Sequence, residues 1–327
     1  MNLRSAPYRW SFRSLLALAA LSAGGAASVA AAQEPRVVTM IVPYPAGGLG
    51  DILPRAMADV LAQQTGRTFI VDNKPGATQM IGARLAAAAK PDGATIFFGS
   101  VTSLALNPST RKDMRYDPVK DFEPIALTYV APQYLLARPG LAPNTMRELI
   151  DLAKREPGKL NYASIGPGSS THLAAELLKT LAGIDMTHVP YTGSGPAVRD
   201  TIAGHVDLTF TGGGMTYADQ VKVLGVTSAT RSAASPQIPA IAETVPGYEA
   251  TIWFGFLAPA GTPKDIVERF SHEMKTAVDS GALGERLRAA ATEIDLTAST
   301  PEEFRAHILK EIPHWRSVIK AANIPLE

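Results

Sequence analysis

Runs of β-forming residues alternate with helical patterns through the first part of this chain. The runs VVTMIVPY, TFIVDNK and ATIFFGS are separated by helical patterns over about residues 51–64 and 81–89. Parallel strands need a crossover connection between them, which is usually a helix. The alternation therefore predicts an α/β protein with a largely parallel sheet that is flanked by helices.

The same alternation starts again after the segment DPVKDFEPI and predicts a second α/β lobe. Strand-like runs there are ALTYVAPQYLLAR, LNYASI, MTHVPY, VDLTF and VKVLGVTS, and helical patterns lie between most of them. The length of 327 residues also favours about two domains. Two C-terminal helical patterns are expected to cover the first lobe. We predict a first lobe over residues 33–124 plus 249–327 and a second lobe over 125–248.

The N-terminus has the pattern of a cleaved secretory signal peptide. Arg4, Arg9 and Arg13 precede an apolar segment near residues 15–21, and the small residues of SVAAAQ follow it. A membrane anchor is the alternative, but serine and glycine interrupt the apolar segment, which is too short to span a bilayer. We predict that residues 1–32 are removed and that the protein is exported to a bacterial periplasm.

Composition excludes several classes of site. The chain contains no cysteine, which excludes a lipoprotein anchor, disulfide bonds, a thiol nucleophile and thiolate metal sites. The formal charge of +1 includes three arginines of the predicted signal peptide, and without them 28 basic residues stand against 30 acidic ones. A nearly neutral surface gives no indication of nucleic-acid binding.

A loop rich in glycine and proline, PYPAGGLG at residues 43–50, joins the first predicted strand to the first predicted helix. In an open parallel sheet, ligands bind beyond the carboxyl ends of the strands, where this loop lies. The helix that follows offers unpaired N–H groups and the positive end of its dipole, which favour an anion. The glycine spacing matches neither G-x-G-x-x-G nor G-x-x-x-x-G-K-[ST], so a nucleotide is not expected. A tight turn without a ligand stays an open alternative.

The segment SIGPGSSTHLAAELL, residues 164–178, predicts a similar loop in the second lobe. A strand is followed by two glycines and a proline, and three hydroxyl residues then start a helix. Those hydroxyls can cap their own helix or bind a ligand oxygen. If the two loops face one another, they line a cleft with N–H groups from both lobes.

The sequence resembles the Bug-type extracytoplasmic solute receptors, the binding components of tripartite tricarboxylate transporters. The resemblance runs from about residue 36 to the C-terminus and rests on VPYPAGGLGD, NKPGATQMIGA, YDPVKDFEPIAL, GPGSSTHLAAELL, HVPYTGSGPAVRD and WFGFLAPAGTP. It implies a two-lobed periplasmic-binding-protein fold of type II that closes on a small carboxylate, either a di- or tricarboxylate or an aromatic acid. It also implies transient delivery of that ligand to inner-membrane transporter subunits.

In that family, the two glycine-rich loops hold a ligand carboxylate through backbone N–H groups, hydroxyls and bridging water. By position, the resemblance implies Tyr44, Ala46, Gly47, Gly48 and Asp51 from one lobe and Ser164, Gly168, Ser169, Ser170, Thr171 and His172 from the other. Further candidates follow other predicted strands, and these are Ser100, Thr102, Tyr191 and Thr192.

Two of these candidates have open roles. Asp51 is expected either to cap the first helix or to accept from an amine, a hydroxyl or a water, because a ligand carboxylate would repel it. His172 either anchors its loop or contacts the ligand.

The chain departs from the family pattern after NKPGA, where many relatives have two glycines and an asparagine. Thr78, Gln79 and Met80 stand there and are expected to narrow the pocket or to change its polarity. An aromatic carboxylate is one candidate ligand because of three aromatic residues in these regions, Tyr44, Phe98 and Tyr191.

Catalysis is not expected. The sequence has no G-x-S-x-G nucleophile elbow, and its six histidines form no H-x-x-x-H pair. We therefore predict a monomeric receptor without cofactor or metal. The alternative is a ligand sensor that docks on a signalling partner, and a hydrolase is less favoured.

Overall fold

A computed structural model of the protein describes residues 35–232, 235–289 and 294–321. The strands are Val37–Val42 (β1), Thr68–Asn73 (β2), Thr95–Ser100 (β3), Phe122–Ala131 (β4), Gln133–Ala137 (β5), Asn161–Ser164 (β6), Thr187–Pro190 (β7), Leu208–Gly212 (β8), Lys222–Val226 (β9), Ile252–Pro259 (β10) and Asp295–Leu296 (β11). The helices are Leu49–Thr65 (α1), Met80–Ala87 (α2), Asn107–Thr110 (α3), Met146–Arg155 (α4), Ser170–Ala182 (α5), Ser194–Ala203 (α6), Lys264–Asp279 (α7), Ala282–Ala289 (α8) and Pro301–Ala321 (α9). The predicted signal peptide, residues 1–32, lies outside the described residues.

The strands form two sheets, and the predicted α/β class is confirmed. The first sheet has the order β11-β4-β10-β3-β1-β2, and the second has the order β7-β6-β8-β5-β9. In the first sheet, β1 is parallel to β2 and β3, whereas β10 is antiparallel to both β3 and β4. In the second sheet, β6 is parallel to β7 and β8, whereas β5 is antiparallel to β8 and β9. Most strands of each sheet therefore run in one direction, with β10, β11 and β5 reversed.

The core of the first sheet is aromatic. Every residue of β10 is buried, as expected for a central strand that is covered on both faces. On this strand, Phe254 stacks on Phe98 with ring centroids 5.4 Å apart. Helices α7 and α9 pack against β4, and α7 and α8 pack against α1. The C-terminal helices therefore cover the first sheet.

The chain passes from the first sheet to the second at Pro132, between β4 and β5. The sequence pattern places the apolar run over residues 126–138 in the second lobe, but the first part of the run is β4, which belongs to the first sheet. Both halves of the run are almost continuously buried, so the pattern of residues does not show which sheet each half joins. The lobe bounds themselves, 33–124 plus 249–327 and 125–248, stay predictions.

The two chain segments that connect the sheets are joined by hydrogen bonds through Thr227. Gln133, at the start of β5, donates its N–H to Thr227 Oγ1 at 2.7 Å and accepts the Thr227 N–H at 2.9 Å. Ala250, ahead of β10, donates its N–H to the carbonyl of Thr227 at 2.8 Å. The outgoing and returning segments therefore lie side by side.

Several helices begin or end at residues that favour helix termini, such as a C-terminal glycine or an N-terminal threonine. Helix α1 begins two residues before the predicted pattern and ends at Gly66, which has φ 71°. Helix α5 ends at Gly183 in the same left-handed conformation, as predicted. The N-cap of α4 is Thr145, whose hydroxyl accepts the N–H of Glu148. Within the described ranges, no helix has both the length and the apolar character that crossing a bilayer requires.

Candidate ligand-binding site

The first glycine-rich loop leads from β1 to Gly48, the N-cap of α1. Asp51, in the first turn of α1, folds back and accepts the N–H of Gly47 at 2.9 Å. Its other oxygen accepts from Arg55 Nε at 2.9 Å and from Asn73 Nδ2 at 2.8 Å. Burial alone would raise the pKa of Asp51, but these hydrogen bonds outweigh it and lower the pKa. The structure therefore places Asp51 as an ionised anchor of the loop.

Tyr44 lies across Gly50 in the same loop. A Cβ atom on Gly50 would come within 2.4 Å of the Tyr44 ring, so only glycine allows this packing. The Tyr44 hydroxyl lies beside Ser100 and Gln79. Burial raises the pKa of Tyr44 to about 12, although these two neighbours lower it. The phenol is protonated at neutral pH and is a hydrogen-bond donor.

The third strand ends at Ser100, and a π-helical turn over Thr102–Leu106 follows it. The Ser100 hydroxyl donates to Gln79 Oε1 at 2.8 Å and accepts the N–H of Thr102 at 3.2 Å. Ser100 and Thr102 are fully buried. This segment is therefore held rigidly at the end of the first sheet.

The second glycine-rich loop lies between β6 and α5, and its hydroxyls hold its own backbone. Ser164 Oγ bonds His188 Nε2 at 2.6 Å, and Thr171 Oγ1 accepts the N–H of Ile165 at 2.9 Å. Ser169 is the N-cap of α5, and its hydroxyl also donates to the carbonyl of Gly166 at 2.6 Å. All three hydroxyl side chains are buried. The structure thus shows Ser169 in the capping role that the sequence left open.

His172 fixes the same loop from the first turn of α5. Its Nδ1 atom accepts the N–H of Gly168 at 3.1 Å, and its ring lies 4.3 Å from that of His188. Burial, together with the charge that His188 can carry, lowers the pKa of His172 to about 4. Burial lowers the pKa of His188 in the same direction. Both rings are therefore neutral at neutral pH, and His172 acts as a loop anchor.

Three predicted residues take positions that the sequence did not specify. Tyr191 directs its hydroxyl to Asp200 on α6, at 2.7 Å. Thr192, just before that helix, is exposed, and so is Ala46 in the first loop. The side chains of Tyr191, Thr192 and Ala46 therefore do not lie among the buried polar groups of the two loops.

The two sheets meet at the glycine-rich loops. Ser170, in the first turn of α5, donates its N–H to Thr102 Oγ1 at 3.3 Å. A Cβ atom on Gly48 would lie 3.2 Å from Ser194 Oγ at the start of α6, and one on Gly168 would lie 3.0 Å from Thr110 Oγ1. Each glycine-rich loop therefore lies against residues that flank the other sheet, and the facing of the two loops across one cleft stays a prediction.

Three further residues at this junction, Arg111, Thr78 and Gln79, were not among the predicted ligand-binding residues. Arg111 Nη2 donates to the carbonyl of Pro167, in the second glycine-rich loop, and to Thr78 Oγ1, both at 2.9 Å. Thr78 Oγ1 itself contacts the Pro167 carbonyl at 3.2 Å. Gln79 was expected to alter the pocket, and its contact with Ser100 places it there. No local pattern distinguishes Arg111, because its partners are distant in sequence.

Comparisons with known proteins agree with this geometry. The structure resembles R. palustris Rpa4515 with adipate, with a TM-score of 0.84 and 34% sequence identity, over 88% of this chain and 98% of that chain. It resembles the periplasmic binding protein BugD with a TM-score of 0.82 and 31% identity, over 88% and 98% of the two chains. It also resembles MatC from Rhodopseudomonas palustris with bound malate, with a TM-score of 0.79 and 28% identity, over 86% and 98%.

BugD is a periplasmic binding protein of the type that the sequence motifs indicated. The model of the tripartite tricarboxylate transporter family receptor matches residues 53–324, which begin just after the first glycine-rich loop and include the second. The chain belongs to the tripartite tricarboxylate transporter receptor family, to which the Bug proteins belong.

Proposed function

We propose that this protein is a receptor that holds a small organic carboxylate between its two glycine-rich loops and delivers it to the membrane subunits of a transporter. The main observation behind this proposal is the hydrogen bond from the N–H of Ser170 to Thr102 Oγ1, which places the N-terminus of α5 next to the segment that follows β3 of the first sheet. Helix N-termini favour anions through their N–H groups and their dipole. The adipate and malate of two related proteins support a carboxylate.

The proposal includes closure of two lobes in a monomer. The lobes would be residues 33–124 plus 249–327 and residues 125–248, with a hinge at the paired segments near Gln133 and Ala250. Domain closure about a ligand is an established transition in periplasmic binding proteins. Export by residues 1–32 would place the receptor in the periplasm, and it would have no catalytic role. The receptor nature of the family and of BugD supports these points.

Gly48→Leu tests the binding site. Gly48 has φ −100°, which any residue adopts, so the fold should keep its melting temperature within a few degrees. A leucine there meets Ser194 across the junction and should weaken carboxylate binding by tenfold or more, about 1.4 kcal/mol. Isothermal titration calorimetry against mono-, di- and tricarboxylates and aromatic acids measures this.

Gly140→Leu is the matched control. Gly140 is exposed, and a Cβ there meets only the end of the Arg138 side chain, so affinity should not change. If Gly48→Leu bound the carboxylate as tightly as the wild type, the first glycine-rich loop would not be part of the binding site. If the wild-type protein bound none of the acids, the proposed function would be wrong.

A further inference from the structure

The backbone that leads into α2 is strained. Ala77, Thr78 and Gln79 have φ values of 46°, 50° and 73°, in the left-handed region that favours glycine. For the β-branched Thr78 this conformation is a marked outlier. Such strain persists only where the surrounding structure enforces it. The position of the Thr78 side chain is therefore maintained at a cost in stability.

Buried groups between β3 and β4 enforce this conformation. Asn107 is fully buried and donates from Nδ2 to the backbone carbonyl of Thr78 at 2.9 Å. The same atom donates to the hydroxyl of Tyr116 at 3.2 Å, and that hydroxyl donates to the carbonyl of Ser103 at 2.6 Å. The backbone of Thr78 is thus fixed to the interior beside the first sheet, and its hydroxyl bonds other partners.

The Thr78 hydroxyl contacts the second glycine-rich loop. Its Oγ1 atom donates to the carbonyl of Pro167 at 3.2 Å and accepts from Arg111 Nη2 at 2.9 Å. Arg111 Nη2 also donates to the Pro167 carbonyl, at 2.9 Å. Each of the three groups therefore bonds the other two, and the strained turn is joined to a loop that precedes a helix of the other sheet.

Pro167 lies in a part of that loop where the backbone adopts conformations that favour glycine. Gly166 and Gly168, on either side of it, have φ values of 111° and 71°. Glycine has more accessible conformations than other residues, so hydrogen bonds from outside are needed to hold one of them. Ser169 and Ser170, at the N-terminus of α5, follow directly. A contact that fixes Pro167 therefore also restrains the helix terminus that is proposed to face the ligand.

We propose that Thr78 is a positioning residue for the ligand, whose hydroxyl holds the second glycine-rich loop in place through the carbonyl of Pro167. The contact joins groups that lie beside different sheets, so it forms when the two lobes close on the ligand. It slows dissociation of the bound ligand and leaves the encounter of the ligand with the open form unchanged. This inference rests on the proposed function and adds to it a residue that determines how long the ligand is retained.

Thr78→Val tests this role, because valine keeps the β-branched shape, and with it the backbone strain, but lacks the hydroxyl. Calorimetry on the protein purified from the periplasm first identifies the tightest binder among acetate, adipate, malate, citrate and benzoate. In stopped-flow measurements this acid should dissociate from the variant about fivefold faster, which corresponds to about 1 kcal/mol. The association rate constant should stay within about twofold of the wild type. Thr78→Ser keeps the hydroxyl and should keep both wild-type rates.

Two control variants separate ligand retention from stability. Ala77→Gly removes strain beside Thr78 but leaves its hydroxyl in place, so it should not lower the melting temperature and should leave dissociation within about twofold. Thr180→Val makes the same chemical change near the other end of α5, where the hydroxyl donates to the carbonyl of Glu176 at 2.9 Å. It should leave both rate constants unchanged.

The outcomes distinguish the two proposals. If the acid dissociates from Thr78→Val as slowly as from the wild type, or if Thr78→Ser loses it as fast as Thr78→Val, the role of Thr78 is wrong and the receptor function stands. If the wild-type protein binds none of the five acids, the proposed function fails and the inference fails with it.

Discussion

The hydroxyl of Thr102 accepts a hydrogen bond from the backbone N–H of Ser170 at 3.3 Å, and the two residues belong to different sheets. Thr102 follows β3 in the first sheet, and Ser170 begins α5, which packs on the second. The bond occupies an N–H group of the helix terminus that is proposed to face the ligand. In the proposed function, closure of the lobes and occupation of the site are therefore linked at this contact.

Thr102→Val should shift the ligand-free protein toward an open form. Valine keeps the shape of threonine, but the N–H of Ser170 loses its partner in the closed form, and such a bond contributes about 0.5–1.5 kcal/mol. Small-angle X-ray scattering should show a larger radius of gyration for this variant. Thr102→Ser keeps the hydroxyl and should match the wild type. Equal radii for all three proteins would show that the bond does not affect closure.

Arg111→Met should make the ligand dissociate faster. Arg111 links the first sheet to the carbonyl of Pro167, and a hydrogen bond from a charged donor contributes about 1.5–3 kcal/mol, less where water reaches it. We expect dissociation to be about tenfold faster in stopped-flow measurements. Arg84→Met is the control, because Arg84, on α2, also donates to backbone carbonyls, those of Asp113 and Met114. Equal dissociation rates for the Arg111 variant and the wild type would contradict the bridging role.

Ser169→Ala should lower stability more than affinity. The Ser169 hydroxyl caps α5 and holds the loop carbonyl of Gly166, and loss of such a cap costs about 1–2 kcal/mol. Urea unfolding should show this loss, whereas the dissociation constant should change by about threefold or less. Thr145→Ala removes the corresponding cap of α4, far from the loops, and should cost a similar amount. Strong loss of binding with unchanged stability would instead make Ser169 a ligand contact.

The parts of the fold that depend on local pattern were predictable from the sequence. Helices α1 and α5 and the two loops before them follow from apolar periodicity and glycine placement, which act within a few residues. Cap identity was less certain, since Asn144 and Thr145 are both good caps and only the backbone conformation selects Thr145. The alternation of strands and helices fixed the α/β class for the same local reason.

Contacts between residues that are far apart in the sequence were not predictable. Strand β4 looks like its neighbour β5, but its partner β10 lies more than a hundred residues later in the chain. Arg111 meets Pro167 across 56 positions, and Gln79 meets Ser100 across 21. Single-sequence patterns contain no record of such contacts. The sequence left two alternatives for Asp51, a cap of α1 or an acceptor for an amine, a hydroxyl or a water, and it did not indicate the bond with Asn73, which comes from another strand.

The stability of the second loop should depend on pH through His172. In the native protein its Nδ1 atom accepts the N–H of Gly168, and burial, with His188 nearby, lowers its pKa to about 4 from an ordinary value of about 6.5. Between these values the unfolded chain takes up a proton and the native protein does not. The free energy of unfolding should therefore fall as the pH falls from about 6.5 to about 4, and this contribution is complete above pH 6.5. Glu176 opposes this lowering of the His172 pKa and Lys179 adds to it, so the direction holds with His188, Glu176 and Lys179 all present.

His172→Asn tests this dependence, because the asparagine oxygen can accept the same N–H but does not titrate. Urea unfolding at a series of pH values should give a shallower slope for this variant than for the wild type across that window. Some slope should persist, since burial also lowers the pKa of His188. His272→Asn changes an exposed histidine on α7 and should keep the wild-type slope. If the free energy of unfolding depended on pH equally in His172→Asn and the wild type, His172 would not be held neutral in its loop. The contact with Gly168 would then not cause the loss of stability at acid pH.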